Sequence, residues 1–598
     1  MRFGRACLEY RVGAHDYRVA GELPLTAEHI RVEGFVRRAG PDGGESQWPP
    51  GSPADAADSV ELGLRVARVE RGVELRRLRF DLLDLDLRDR FLANGFQSWS
   101  ETRSLGPNDR LAGLRWLGFL KPYGDYGWVK YDGLPGRFHS HWLTYTSDSR
   151  GFTFLGSWND AGAYTVFHVD YRSGCSWVEV DVEGMEPQPG DTLARIFYGE
   201  GSDLRELVRA FTARLGDGVP GAGPALAQRP KAGPATAAPA GSRRPGGWNS
   251  WYNYYNHVTE ENVLAELRTL RGVQLDYLQI DDGWQAEVGD WLDLSPGFRD
   301  MKRLAGAIQD RGLTPGIWIA PFVCSRRSRP FKQGWVIKGR NRGRGSRPLS
   351  AGWNAGWRST VYPLDLSQTP ARDHIRRVGD AFREWGFGFI KADFLYAAAL
   401  IPWGGKTRAQ RMREAMQALR SEMPGHLLAC GVPLASAQGL CDFARLGGDT
   451  TQFWEYNLLA FCRYRERASS FNGLRTVLNR WFMNGTLFGL DPDVFFFGKG
   501  NLSGRERETL YRVTTTLGSI QFFSDSLGRL DETARDLIRG TFPLPPIKVE
   551  RVSERGDLYA VSFLKNGEPW ILRVNLSGER RGDLEPHGSC LLYTSPSP

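Results

Sequence analysis

FGFIKADF (387–394) decides how the central half of the chain folds. A short apolar run ends in Lys391-Ala392-Asp393, so it reads as a buried strand with Lys391 and Asp393, two apart, on one face. Helical patterns flank it: ARDHIRRVGDAFREWG (371–386), stopped by Gly386, and a Met-rich stretch over 407–423. Upstream, TPGIWIAP (314–321), LDYLQIDD (275–282) and GWNSW (247–251) read as strands. Between them lie a helix with Met301, Leu304, Ala305 and Ile308 on one face and another capped by Thr259, with Glu260 and Glu261 in its first turn. Downstream come HLLACGVP (426–433), CDFARLGGD (441–449), TLFGLDPD (486–493) and GSIQFFSDS (518–526). Eight strands alternating with helices over about 300 residues predict a (β/α)8 TIM barrel. An open doubly wound sheet is the alternative, weakened as a dinucleotide fold because no G-x-G-x-x-G opens a helix.

A chain of 598 residues exceeds one compact core, and its flanks differ from its centre. Residues 1–215 predict an all-β sandwich, from RVARVERGVELRRLRFDLLDLDL (65–87), YTVFHVDY (164–171) and SWVEVDVEGM (176–185), with a turn-rich loop at 39–58. Pro, Ala and Gly dominate 216–246, a linker composition. The barrel is placed at 247–545. A partial C-terminal β domain follows at 546–590, with strands at 558–566 and 568–578, and 591–598 is expected to be a non-native tail after a truncation.

Seven scattered cysteines without C-x-x-C argue against a disulfide framework or a zinc site. The N-terminus lacks a continuous apolar segment of the signal-peptide kind, and no run reaches the ~18 apolar residues of a membrane span, so a cytoplasmic protein is expected. The net charge of +8 has a local source: ten Arg or Lys and no Asp or Glu between Cys324 and Leu364. RNRGRGSR (340–347) could bind an acidic partner, but nucleic-acid readers spread charge over a whole face, and a solvated loop is the better reading. Oligomeric state is left open.

Barrel chemistry sits at the C-terminal ends of strands. Asp281 and Asp282 end the second, Trp318 lies near the end of the third, Lys391 and Asp393 end the fourth, Cys430 the fifth, and Arg445 and Asp449 the sixth. Two carboxylates facing one cavity are the minimal equipment for glycosidic hydrolysis. Each residue also has a plainer reading. Strand-end aspartates cap helices or turns, and Lys391 can form a structural ion pair with Asp393, lowering its pKa. Cys430 reads as packing, and Asp491 and Asp493, among Gly, Leu and Pro, as turn residues.

Seven stretches in order carry a resemblance: ANGFQSWS (93–100), GWNSWYNYY (247–255), LQIDDGWQAEVGDW (278–291), PGIWIAPF (315–322), FIKADFLYAAA (389–399), CGVP (430–433) and ARLGGDTTQFW (444–454). With them the chain resembles α-galactosidases of glycoside hydrolase family 36, retaining enzymes with a catalytic TIM barrel. The resemblance implies Asp393 as nucleophile and Asp449 as general acid/base. It implies Asp281, Asp282, Lys391 and Arg445 as binders of sugar hydroxyls, and Trp318 and Cys430 as pocket residues. Trp99 would close the site from the β domain. It implies an oligosaccharide substrate of the melibiose or raffinose type and no metal or organic cofactor. A galactosyl transferase like the raffinose synthase branch, and a non-catalytic carbohydrate-binding protein on the same scaffold, are the alternatives. The basic insert at 324–360 has no counterpart in shorter members and is expected to shape the leaving-group side.

Overall fold

The structure is a computed structural model that describes residues 2–38, 45–47, 59–160, 162–213, 243–340, 346–498 and 500–594. The predicted loop at 39–58 and the predicted linker fall outside the described residues, except for Glu45–Gln47, residue 38's neighbour strand, and 243–246.

The centre is a parallel sheet of nine short strands: β1 (Gly246–Asn249), β2 (Tyr277–Ile280), β3 (Thr314–Ile319), β4 (Phe389–Ala392), β5 (His426–Ala429), β6 (Phe443–Arg445), β7 (Gly489–Asp491), β8 (Val494–Phe495) and β9 (Gln521–Phe523). Their hydrogen-bonded order is β7-β6-β5-β4-β3-β2-β1-β9-β8. The two end strands are separated in the chain only by Pro492 and Asp493, so the sheet curls round on itself. Of the stretch 486–493, read above as one strand, only Gly489–Asp491 is strand; Pro492, which has no N–H to give a ladder, and Asp493 at φ 72° break it from Val494–Phe495 beyond.

Side-chain layers fill the curl. Tyr277, Phe389, Phe443 and Phe522, from β2, β4, β6 and β9, bring their rings together, with centroids 4.7 Å (Tyr277–Phe389), 5.6 Å (Phe389–Phe522) and 6.4 Å (Phe389–Phe443) apart. Four side chains from alternate strands make one layer of a packed barrel core. A strand turns its side chains over with period two, so the next layer above the rings holds Gln279, Lys391 and Arg445, and the one above that holds Asp281 and Asp393. The strands thus run from an aromatic plug to a polar mouth.

Helices pack outside. Thr259 and Asn262 cap Glu260–Thr269 reciprocally, Thr407 and Gln410 do the same for Arg408–Glu422, and Gly386 at φ 91° ends Thr369–Trp385. Met301, Leu304, Ala305 and Ile308 are the buried face of Met301–Gln309.

Before the barrel, two antiparallel sheets form the sandwich. Leu8, Leu78, Phe80 and Val178 of one meet Val32, Leu64, Val66 and Ile196 of the other in a common core. After the barrel, a four-stranded antiparallel sheet comprises Ile547–Arg555, Leu558–Lys565, Glu568–Asn575 and Ser589–Tyr593. Two of these strands were legible; the other two complete the sheet, and the last pairs 589–593 with 570–574. No helix among the described residues is long and apolar enough to cross a membrane.

Candidate active site

Asp281 and Asp282 directly follow β2, and Asp281 is the hub of the buried network. Its Oδ2 accepts from Asn249 Nδ2 (2.9 Å), Gln279 Nε2 (2.9 Å) and Lys391 Nζ (2.7 Å), and its Oδ1 from the Asp282 N–H (3.0 Å). Lys391 therefore pairs with Asp281, not with Asp393 as in its plainer reading. Burial works most strongly against the ammonium, but the charge of Asp281, joined by those of Cys430 and Asp393, raises the Lys391 pKa on balance.

Asp393 follows β4. Its Oδ2 accepts from Trp318 Nε1 (3.0 Å) and its Oδ1 from the Phe394 N–H (2.9 Å). Burial raises its pKa above the ordinary carboxylate value, although Lys391 and Trp318 pull the other way. The sequence expectation was the reverse; desolvation wins because the cation is already engaged by Asp281.

Arg445, at the end of β6, holds three carboxylates: Nη1 donates to Asp449 Oδ1 (2.9 Å), Nε to Asp491 Oδ2 (2.7 Å), and Nη2 lies 2.9 Å from Asp493 Oδ1. Asp491 and Asp493 are thus buried partners of Arg445 and not mere turn residues. Burial pushes Asp449 up to about 7; Arg445 opposes this, and the nearby charges of Asp493 and Asp393 add to it. The Asp449 side chain is 45% accessible, because it opens into a cavity. Asp282, pushed up to about 6 by burial, accepts from Gln285 Nε2 (2.6 Å) and Trp357 Nε1 (2.5 Å). Cys430 is buried beside these charges, and burial holds its thiol well above the ordinary value.

The cavity over Asp449, about 290 Å³, is walled by Trp99, Tyr123, Trp353, Phe394, Tyr464 and Glu466. A larger one of 490 Å³ is lined by none of the strand-end residues. Trp99 comes from the loop after the sandwich strand Arg90–Ala93, its ring edge-on to Phe394 at 5.2 Å and its Nε1 buried without a protein partner. Two devices seat it. A Cβ on Gly431 (φ 59°) would lie 2.9 Å from Trp99 Cη2, so CGVP supplies a cradle that a side chain would fill. Fully buried Arg480 donates to Asn94 Oδ1 (3.0 Å) and to the carbonyls of Ser98 (2.7 Å), Gln97 (3.2 Å) and Gly95 (3.3 Å).

Of the residues singled out from the sequence, Trp99 and Asp449 line this cavity, while Asp281, Asp282, Trp318, Lys391, Asp393, Cys430 and Arg445 are buried at or near the ends of the barrel strands. Several participants were missed. Trp353 and Trp357 sit in the basic insert, which folds as a three-stranded antiparallel sheet, Val323–Ser325, Ser359–Pro363 and Gly352–Asn354. The pair in GWNAGW (352–357) was the available signal; Arg480 had none. Residues 341–345 of the Arg-rich stretch lie outside the described residues.

No family model matches the chain. Among solved structures, an α-galactosidase from Thermus thermophilus superposes with TM-score 0.66 at 24% identity in complex with p-nitrophenyl α-D-galactopyranoside, covering 88% of this chain and 96% of that one. Its stachyose complex gives TM-score 0.62 at 25% identity, with 81% and 97% covered. A GH36 α-galactosidase from Geobacillus stearothermophilus, with raffinose, gives TM-score 0.59 at 13% identity over 97% of this chain and 82% of that one. A curated relative, the A type blood α-D-galactosamine galactosaminidase of Flavonifractor plautii, is 26% identical over 159 residues, 25% of this chain but only 14% of that protein. In fold the chain is similar to α-galactosidases, and over 120 residues, 16% of each chain, it is 30% identical to a probable α-galactosidase G of Emericella nidulans.

Proposed function

We propose that the chain is a retaining α-galactosidase that releases terminal α-D-galactosyl residues from oligosaccharides of the melibiose or raffinose type. The observation that carries the reading is the contrast between two strand-end acids. Asp393 receives two N–H donors, from Trp318 and Phe394, that suit an anion, whereas Asp449 is raised to about 7, where it can hold a proton. Solved α-galactosidases with galactosides bound share the fold.

Asp393 attacks the anomeric carbon as Asp449 protonates the departing glycosidic oxygen, leaving a galactosyl ester on Asp393 and a free alcohol. Asp449, now ionised, takes a proton from water; the water oxygen attacks the same carbon from the opposite face, and Asp393 leaves as a carboxylate. Two inversions return the α-anomer. Asp281, Lys391 and Asp282 bind the sugar hydroxyls, Cys430 and Trp318 wall the pocket, and Trp99 lies over the ring with its free Nε1–H as a donor. Arg445 binds a hydroxyl near the reacting carbon and tempers Asp449. Trp353 and Tyr123, on the cavity over Asp449, face the leaving group.

The test is a panel of aryl α-glycosides (galactose, N-acetylgalactosamine, glucose, xylose) with the first product's anomer followed by NMR. The reading predicts galactoside cleavage with α-galactose appearing first. Cleavage of the N-acetylgalactosaminide alone would refute the sugar assignment, and β-galactose first would refute retention.

A further inference from the structure

Outside the strand ends, the β-sandwich holds a second cluster of chemistry-bearing groups. Asp125 precedes the strand Arg137–His141, which carries His139 and His141, and all three are at most 3% exposed. One carboxylate oxygen and one imidazole nitrogen from each histidine lie within 4.8 Å of one another. Both Nε2 atoms point at the same oxygen: Asp125 Oδ2 is 2.5 Å from His141 Nε2 and 3.4 Å from His139 Nε2. Hydrogen bonding leaves the cluster incompletely satisfied: His141 Nδ1 is buried without a partner, and His139 Nε2 has only its long approach to Asp125 Oδ2.

We propose that Asp125, His139 and His141 form a binding site for a divalent transition-metal ion of the zinc type. Two imidazole nitrogens and one carboxylate suit zinc and its neighbours and disfavour calcium and magnesium, which take oxygen ligands. At metal–ligand distances of about 2.0–2.1 Å, a tetrahedral ion holds its ligand atoms about 3.3 Å apart. The observed 2.5 and 3.4 Å reach that by shifts of less than about 1 Å. The outer groups are in place: Tyr131 OH donates to Asp125 Oδ1 (2.6 Å), and Arg465 Nη1 donates to Tyr131 OH (2.9 Å).

The ion staples a segment that shapes the cavity over Asp449. The short helix Gly118–Tyr123, just before Asp125, ends in the cavity residue Tyr123. Just after it, Tyr126 OH donates to Glu466 Oε2 (2.7 Å), another cavity residue. The inference stands independently of the reaction proposed above.

Untagged protein from zinc-supplemented cells tests it by elemental analysis and thermal melting. About one zinc per chain is expected in the wild type. Chelation should lower the melting midpoint, ZnCl2 should restore it, and MgCl2 or CaCl2 should not. His139→Gln and the isosteric Asp125→Asn should each lose the zinc while their circular dichroism matches wild type. A wild type that holds no zinc and whose midpoint ignores ZnCl2 would overturn the proposal. So would full zinc content in folded Asp125→Asn, or an equal response to MgCl2. If either variant fails to fold, the wild-type content and titration decide alone.

Discussion

Trp357→Phe isolates the contribution of the basic insert to catalysis. The substitution keeps an aromatic ring 4.9 Å from Phe394 but removes the N–H that donates to Asp282 Oδ2 at 2.5 Å. A hydrogen bond to a charged group is worth ~1.5–3 kcal/mol, so kcat/KM for an aryl α-galactoside should fall about 10- to 150-fold. The loss has a pH signature. Asp282 already sits at about 6, because burial outweighs the bonds from Gln285 and Trp357. In the proposed role its carboxylate form accepts from a sugar hydroxyl more strongly than its acid form does, so activity should fall as pH drops through about 6. Removing a donor to the anion raises that value further and moves the acidic limb of the kcat/KM profile upward. The alkaline limb belongs to Asp449, whose acid form is lost as pH rises through about 7, and should stay in place. Steady-state profiles of both proteins decide the matter. An unshifted acidic limb with kcat/KM within twofold of wild type would refute the role given to Trp357.

Asp449→Ala should retain more activity on aryl galactosides with good leaving groups than on raffinose, because those need less proton donation; equal losses on both would count against the acid role. Gly431→Ala places a methyl 2.9 Å from Trp99 Cη2 at φ 59°, so it should raise KM several-fold with a smaller effect on kcat. Unchanged KM in that variant would mean that Trp99 does not cover the sugar.

The barrel was legible because its grammar is local: apolar strands of period two, capped helices and polar strand ends all lie within short windows. The candidate residues of the barrel stand at or near strand ends for the same reason, Asp281 and Asp282 after β2, Lys391 and Asp393 at the end of β4, and Arg445 at the end of β6. Their pairing was not legible. Lys391 is two residues from Asp393 in sequence, yet its ammonium goes to Asp281, a neighbour across the barrel 110 positions away. Asp491 and Asp493 look like turn residues beside Pro492, and it is the pairing of β6 with β7 that sets Arg445 beside Asp491 and within reach of Asp493. Arg480 makes its bonds to a loop nearly four hundred residues upstream, which no spacing rule can find. Burial misled in one place: Lys391 near Asp393 argued for a depressed pKa, whereas desolvation sets the sign.

The central claim is that Asp393 forms a bond to the sugar. An activated fluorinated galactosyl fluoride, which forms the glycosyl ester faster than water clears it, tests this directly. Peptide mapping by mass spectrometry should find one added fluorogalactosyl group, carried by the peptide that contains Asp393. A label on Asp449 instead, or time-dependent inactivation with no covalent label, would contradict the account.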